Sequence, residues 1–361
     1  MLNPSNEWLH ALIGCGRVAP THVDAAGYAA PLRLAYAVDT DPEIAGAFAA
    51  RWGLAPAELD QVMADAAVRS VSICTPHDTH PDLALQALSA GKHVLLEKPP
   101  TLDPDAVLAL AAAARSADRL VFPITQHRFD PLVGLVRDLI AEGHLGALRM
   151  ARISLECVRD PAYYGASDWR GTWAREGGSV LMNQGYHFID MLMWLAGPVV
   201  RVEAMMDTLG NREVMETEDS LVAALQLENG ALGTVAITGA AGSAWSNVIE
   251  LMGDRGIVAF DLSTPARLHR LELTSKKALK HWRSAFADAQ KTNEIPLGVS
   301  YYGVSHREQF RALTGAVEGT PDPRAATLEQ AAEAVRVIQA IYASARGERG
   351  STSASPLTAR A

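Results

Sequence analysis

Along the chain, short apolar runs alternate with longer stretches of helical length. The runs 10–13, 32–38, 70–74, 93–96 and 120–124 have strand length, and the segments between them, 82–90 and 103–117 most clearly, have helical character. Strands and helices alternating in this order predict a parallel α/β sheet. Beyond residue 148 the pattern changes. Runs 148–158, 199–206, 219–227, 231–238, 248–252 and 257–262 follow closely, with Glu228-Asn229-Gly230 and Gly253-Asp254-Arg255-Gly256 as hairpin turns. They predict a second, mostly antiparallel sheet. Helices at 302–318 and 328–346 close the pattern, the latter packing Ala, Val and Ile at helical spacing.

The stretch from Gly177 to Pro198 reads as a buried helix with a glycine-rich entry and a Gly-Pro stop. Asn183, His187 and Asp190 interrupt its apolar character at spacings i, i+4 and i+7, which predicts one polar face. Such a stripe is costly unless it is hydrogen-bonded or faces a wet cleft. It fits either a structural network satisfied around His187 or an active site.

With 361 residues, 48% of them hydrophobic, the chain is long enough for two cores. The divisions expected are 8–127, 128–346 and a disordered tail at 347–361, rich in Ser, Gly, Thr and Pro. A formal net charge of -9 argues against nucleic acid or a membrane surface as partner. The basic run 276–283 reads as a solvated face. Three cysteines, Cys15, Cys74 and Cys157, show neither disulfide nor zinc spacing. The N-terminal residues lack a leader pattern and no apolar run spans a membrane, so a cytoplasmic protein is expected.

The first apolar run is followed at once by Gly14-Cys15-Gly16-Arg17-Val18-Ala19, the G-x-G-x-x-A form of a dinucleotide fingerprint. Gly14 suits a tight turn, Gly16 a close approach of backbone to pyrophosphate, and Ala19 close helix packing. Asp39 ends the second run, where an acidic residue binds a ribose hydroxyl and repels a 2′-phosphate; NAD is favoured over NADP. Asp39 as a helix cap fits the same position. The third run leads into Thr75-Pro76-His77-Asp78-Thr79-His80. His77 and His80 have a metal-like spacing but no supporting ligands nearby in sequence, so no metal is assigned. The fourth leads into Glu97-Lys98-Pro99, which puts an ammonium beside the cleft, and the fifth into Gln126-His127-Arg128. Before the polar helix come Tyr163, Tyr164, Trp169, Arg170 and Arg175, aromatics and arginines that suit a sugar site as well as a packed loop.

Gly-Cys-Gly-Arg-Val-Ala, Thr-Pro-x-x-x-His, Glu-Lys-Pro and the Gly-Gly…His-x-x-Asp helix, in this order over residues 8–346, resemble the Gfo/Idh/MocA oxidoreductases (glucose–fructose oxidoreductase, inositol dehydrogenase and relatives). The resemblance implies an N-terminal Rossmann domain and a C-terminal α/β domain with a large, mostly antiparallel sheet that joins subunits into homodimers or homotetramers. It implies hydride transfer between a secondary hydroxyl of a sugar or cyclitol and NAD. Lys98 matches the family's active-site lysine, His187 its catalytic histidine, and Asp190 an acidic residue one turn on. Asn183 stands where inositol dehydrogenase-like members have aspartate, which argues against a His-Asp proton relay. Gln126 stands in place of an asparagine frequent in the nearer branch of sugar dehydrogenases.

The catalytic set expected is therefore Lys98, His187, Asn183 and Asp190. Cofactor contacts are expected from Gly14, Cys15, Gly16, Arg17, Val18, Asp39, Thr40, Thr75, Pro76, His77, His80, Glu97, Lys98, Gln126, Trp169 and Arg170. Substrate contacts are expected from Lys98, Arg128, Arg170, Asn183, His187 and His306. Two alternatives stay open: a dinucleotide-binding regulatory protein of the same fold, and a tight-cofactor enzyme of glycoside cleavage or nucleotide-sugar 3-oxidation.

Overall fold

The computed structural model describes residues 7–242, 245–292 and 305–348. The expected tail from 349 onward and the start of the helix expected at 302 lie outside the described residues. Strands β1 (Trp8–Ile13), β2 (Leu32–Val38), β3 (Ala55–Pro56), β4 (Val68–Ile73), β5 (His93–Leu96) and β6 (Val121–Pro123) form one parallel sheet in the order β3-β2-β1-β4-β5-β6. This is the doubly wound order whose ligands bind outside the carboxyl ends of the strands, where the order reverses. The two-residue, exposed β3 carries no apolar pattern and escapes sequence reading.

Helices α1 (Ala19–Ala26), α2 (Pro42–Trp52), α3 (Leu59–Ala64), α4 (His80–Ser89), α5 (Pro104–Ala117), α6 (Pro131–Ala141) and α7 (Pro161–Gly165) accompany and follow this sheet. Four of them open on an Asp-Pro pair. Asp41, Asp103, Asp130 and Asp160 each accept a backbone N–H of the first turn, and the proline that follows has no N–H to satisfy. The cap of α2 is thus Asp41, which leaves Asp39 to the cleft.

The second sheet comprises β7 (Leu148–Glu156), β8 (Val199–Asp207), β9 (Ser220–Leu227), β10 (Leu232–Thr238), β11 (Ser246–Gly253), β12 (Gly256–Phe260) and β13 (Leu268–Leu273). Its order is β13-β12-β11-β7-β10-β9-β8, antiparallel except where β10 runs parallel to β7. One face packs α8 (Tyr186–Ala196) and the C-terminal α11 (Leu328–Ala345). The basic run lies on α9 (Lys276–Thr292), which buries Trp282 and Phe286 and leaves its lysines largely in solvent. Helix α10 (Ser305–Val317) returns to the first sheet, where Phe310 and Leu313 join Trp8, Leu95, Phe122 and Phe129 in one buried cluster.

The stretch expected as a single helix is two pieces. Residues Val180–Gly185 form a π-helical turn, and α8 starts only at Tyr186. The wider π turn changes the angular offset between Asn183 and the residues after it, so the expected single face does not form.

Candidate active site

A cleft of about 800 Å³ opens at the carboxyl ends of β1, β2, β4 and β5 and runs under the 159–175 loop and the π turn. At one end Gly14, at φ +92°, makes the turn out of β1; a Cβ there would lie 2.8 Å from the backbone of Cys74. Around Gly16 the space is open, and α1 begins without a side-chain cap just after Gly16, Arg17 and Val18, which line the cleft. Asp39 and Thr40 line the wall beside it. One Asp39 oxygen accepts the Cys15 N–H at 2.9 Å and the other the Asp41 N–H at 3.1 Å, which fixes the carboxylate at the end of β2. These groups fit an NAD molecule: a tight glycine turn, an open backbone approach, a helix N-terminus and an anchored ribose acceptor.

At the other end stand Lys98, Asn183 and His187. The Lys98 ammonium donates to the side-chain oxygen of Asn183 at 2.6 Å and to its backbone carbonyl at 2.8 Å. The Asn183 amide nitrogen in turn donates to Glu176 at 2.8 Å and to the Tyr163 hydroxyl at 3.5 Å. With both ends engaged, the amide has one orientation. Burial pushes Lys98 down to about 8, against the pull of Glu97 and Glu176. Burial also holds His187 well below its ordinary value, helped by His127 and Lys98, so its imidazole is neutral. His127 packs edge-on to it at 4.9 Å between ring centres.

Above these groups, the guanidinium groups of Arg159, Arg170 and Arg17 lie 4.6, 4.7 and 5.8 Å from the centre of the Tyr163 ring. Trp245 covers Arg159 from another side at 4.6 Å. Trp169 stacks edge-on against His77, whose Nδ1 lies 3.0 Å from the Glu176 carbonyl. Arg175 is held by Asp78 and Asp168.

Of the residues expected here, Gly14, Gly16, Arg17, Val18, Asp39, Thr40, Thr75, Pro76, His77, His80, Glu97, Lys98, Trp169, Arg170, Asn183 and His187 line the cleft. Five do not. Asp190 is buried and grips Arg128 through two bonds of 3.0 and 2.6 Å. Arg128 is buried as well, binds Gln330 on α11 and stacks on Trp194. A carboxylate on a buried helix takes the nearest cation, and together they tie the turn after β6 to α8 and α11, away from the cleft. His306 is buried behind the cleft, 4.0 Å from Glu97. Gln126 is buried in the turn after β6. The Cys15 thiol packs between Ala37 and Ala49, and its N–H is spent on Asp39 rather than on a pyrophosphate.

Glu176, His127, Arg159 and Trp245 belong to the site and escape sequence reading. Glu176 has one signal, its place before the Gly177-Gly178 pair. Arg159 and Trp245 have none, because they meet only through the pairing of β7 with β11.

Comparison with known proteins agrees with this fold. Residues 9–125 match the oxidoreductase family with NAD-binding Rossmann fold, and residues 133–259 match the GFO/IDH/MocA C-terminal domain. An inositol 2-dehydrogenase of Rhizobium meliloti is 29% identical over 260 residues, 71% of this chain and 76% of its own. A D-glucoside 3-dehydrogenase of Escherichia coli is 31% identical over 200 residues, 53% of this chain and 55% of its own. Among solved structures, the WlbA dehydrogenase of Bordetella pertussis in complex with NADH and UDP-GlcNAcA superposes with a TM-score of 0.83 at 27% identity, over 94% of this chain and 96% of the other.

Proposed function

The chain belongs to the Gfo/Idh/MocA family of NAD-binding oxidoreductases, and from that premise we propose that it oxidises a secondary hydroxyl of a sugar or cyclitol, with Lys98 and His187 as its catalytic pair. The observation that carries the reading is the meeting of a fixed ammonium and a neutral imidazole in one cleft with the dinucleotide turn. When bound, NAD supplies the hydride acceptor. His187 takes the hydroxyl proton, which a neutral imidazole can do. Lys98 donates a hydrogen bond to the same oxygen and stabilises the negative charge that develops there. Asn183 acts mainly by fixing Lys98, since its amide is already engaged at both ends. Arg170 and Trp169 close the substrate end.

Within the sugar class the reading favours a substrate with an anionic group. Three guanidinium groups around Tyr163 beside a lysine form a cationic wall in a chain of net charge -9. The complex of the WlbA dehydrogenase with UDP-GlcNAcA is in keeping with it. A homo-oligomer built on the second sheet also belongs to this reading, supported by Met205, Val222 and Leu232, 71%, 47% and 54% exposed on β8, β9 and β10. So do a boundary near residue 127 and a cytoplasmic setting; no helix among the described residues is long and apolar enough to cross a membrane.

The test is NADH formation against a panel of inositols, neutral monosaccharides, glycosides, uronates and UDP-sugars, with NADP in parallel. Turnover with NAD and a uronate or UDP-sugar is the expected result. Binding of NAD without turnover of any of them would remove the reading in favour of a tight-cofactor enzyme or a regulatory role.

A further inference from the structure

A line of polar side chains runs through the apolar core behind the cleft. The Trp8 indole donates to Ser70 Oγ at 3.1 Å; His10 bridges Ser70 and Ser72 at 2.7 and 2.8 Å; His22 bridges Ser72 and Glu97 at 3.0 and 2.9 Å. Every member is buried. The far oxygen of Glu97 accepts the backbone N–H of Lys98 at 3.1 Å. These residues come from β1, α1, β4 and the end of β5, and α10 closes over them: Phe310 packs edge-on to His10 and His22, and His306 Nε2 lies 4.0 Å from Glu97.

The chain has a direction. One end is an indole that can only donate and the other a carboxylate that can only accept. Burial holds His10 neutral, at about 3, so one ring nitrogen donates and the other accepts. Hydrogen bonds can then run in one sense, from Trp8 towards Glu97. Burial alone would push Glu97 up, but His22 and His306 outweigh it and hold the carboxyl ionised.

We propose that this buried chain is a positioning device for Lys98: it holds Glu97 as a fixed anion at the root of the lysine and so keeps the ammonium charged and in place. His10 and His22 are then positioning residues, acting on Lys98 only through Glu97. The proposal rests on the role given to Lys98 above, but its mechanism does not require turnover. Lys98 is faced by Glu97 at its own strand end, Glu176 and Arg170 from the loop before the π turn, Arg159 after β7, His77 and His80 after β4, and His187 from α8. Glu97 and Glu176 favour its charge and the arginines oppose it. Removing the hold on Glu97 tips this balance, because the carboxyl then takes up a proton.

The experiment follows the acetylation rate of Lys98 by acetic anhydride against pH, read by peptide mass spectrometry, in the full-length chain. In His22→Leu, His10→Val and Glu97→Gln the reactivity midpoint is expected to move to lower pH by about one unit. His22→Gln keeps a donor for Glu97 and an acceptor for Ser72, and is expected to restore the wild-type midpoint. His10→Val is the strictest case, since His10 touches neither Lys98 nor Glu97 and a merely structural role would leave the midpoint alone. An unchanged midpoint in folded His10→Val and Glu97→Gln overturns the proposal. Shifted midpoints in a protein that turns over no sugar would sustain the positioning device and reject the dehydrogenase reading instead.

Discussion

A lysine that donates and a histidine that accepts need opposite charge states at the same pH, and burial by itself disfavours the charge on both. At Lys98 the loss is offset by Glu97 and Glu176; at His187 the neighbours His127 and Lys98 add to it. The proposed mechanism needs protonated Lys98, and kcat is expected to fall as pH rises through about 8. Lys98→Met and His187→Ala should each lower kcat/KM by about 10²–10⁴-fold with NAD binding retained, as steady-state kinetics and cofactor fluorescence would check. Asp190→Ala should behave otherwise. It leaves Arg128 buried without its carboxylate, so the expected loss is about 3–5 kcal/mol of stability in urea denaturation. A loss of turnover at unchanged stability would return Asp190 to the catalytic set.

The element that places Asn183 against Lys98 is the π turn, and Glu218 holds its entry. Its carboxylate accepts the N–H groups of Ser179 and Leu181 and the Tyr342 hydroxyl, which itself accepts from Met182. Gly178 makes room for that hydroxyl: at φ +133°, a Cβ there would stand 2.0 Å from it. Burial raises Glu218 to about 7 despite these donors. A carboxyl with a raised folded value binds a proton on folding, so its contribution is fully present below the ordinary carboxyl range and is lost as pH rises through about 7. Glu218→Gln should flatten the dependence of melting temperature on pH between about 4.5 and 7, measured by calorimetry. Periodicity foretold a helix in this stretch and Gly197-Pro198 foretold its end. The π turn depends on Glu218 and Tyr342, from β9's approach and α11, and no residue within 177–196 signals either.

Across the whole molecule, the first sheet is completed by the end of the chain. Phe310 on α10 is fully buried among Trp8, Phe122 and Phe129, so the cofactor-binding half does not close its core with N-terminal residues alone. Phe310→Ala should cost about 3–5 kcal/mol and lower NAD affinity, read by denaturation and cofactor titration. A variant with intact cofactor binding and no change in stability would contradict this dependence. The same packing brings His306 behind Glu97, which explains why a histidine expected in the cleft is found outside it.

What the sequence determined by itself is whatever depends on neighbours along the chain. Alternation and run length define most strands of both sheets, though not β3 or β13, Asp-Pro pairs start helices, and the Gly14–Ala19 turn with Asp39 marks the proposed cofactor site. Lys98 is legible because it follows the end of a strand, and Asn183 and His187 because they interrupt an apolar stretch of helical length. The tertiary structure alone decided which polar residues line the cleft and which are buried in pairs away from it. Asn183, His187 and Asp190 have equal standing in sequence, yet the first two line the cleft and the position of Arg128 draws Asp190 away from it. The reason is physical: burial, charge pairing and hydrogen-bond direction are set by groups from distant segments, and no local pattern encodes the distance between them.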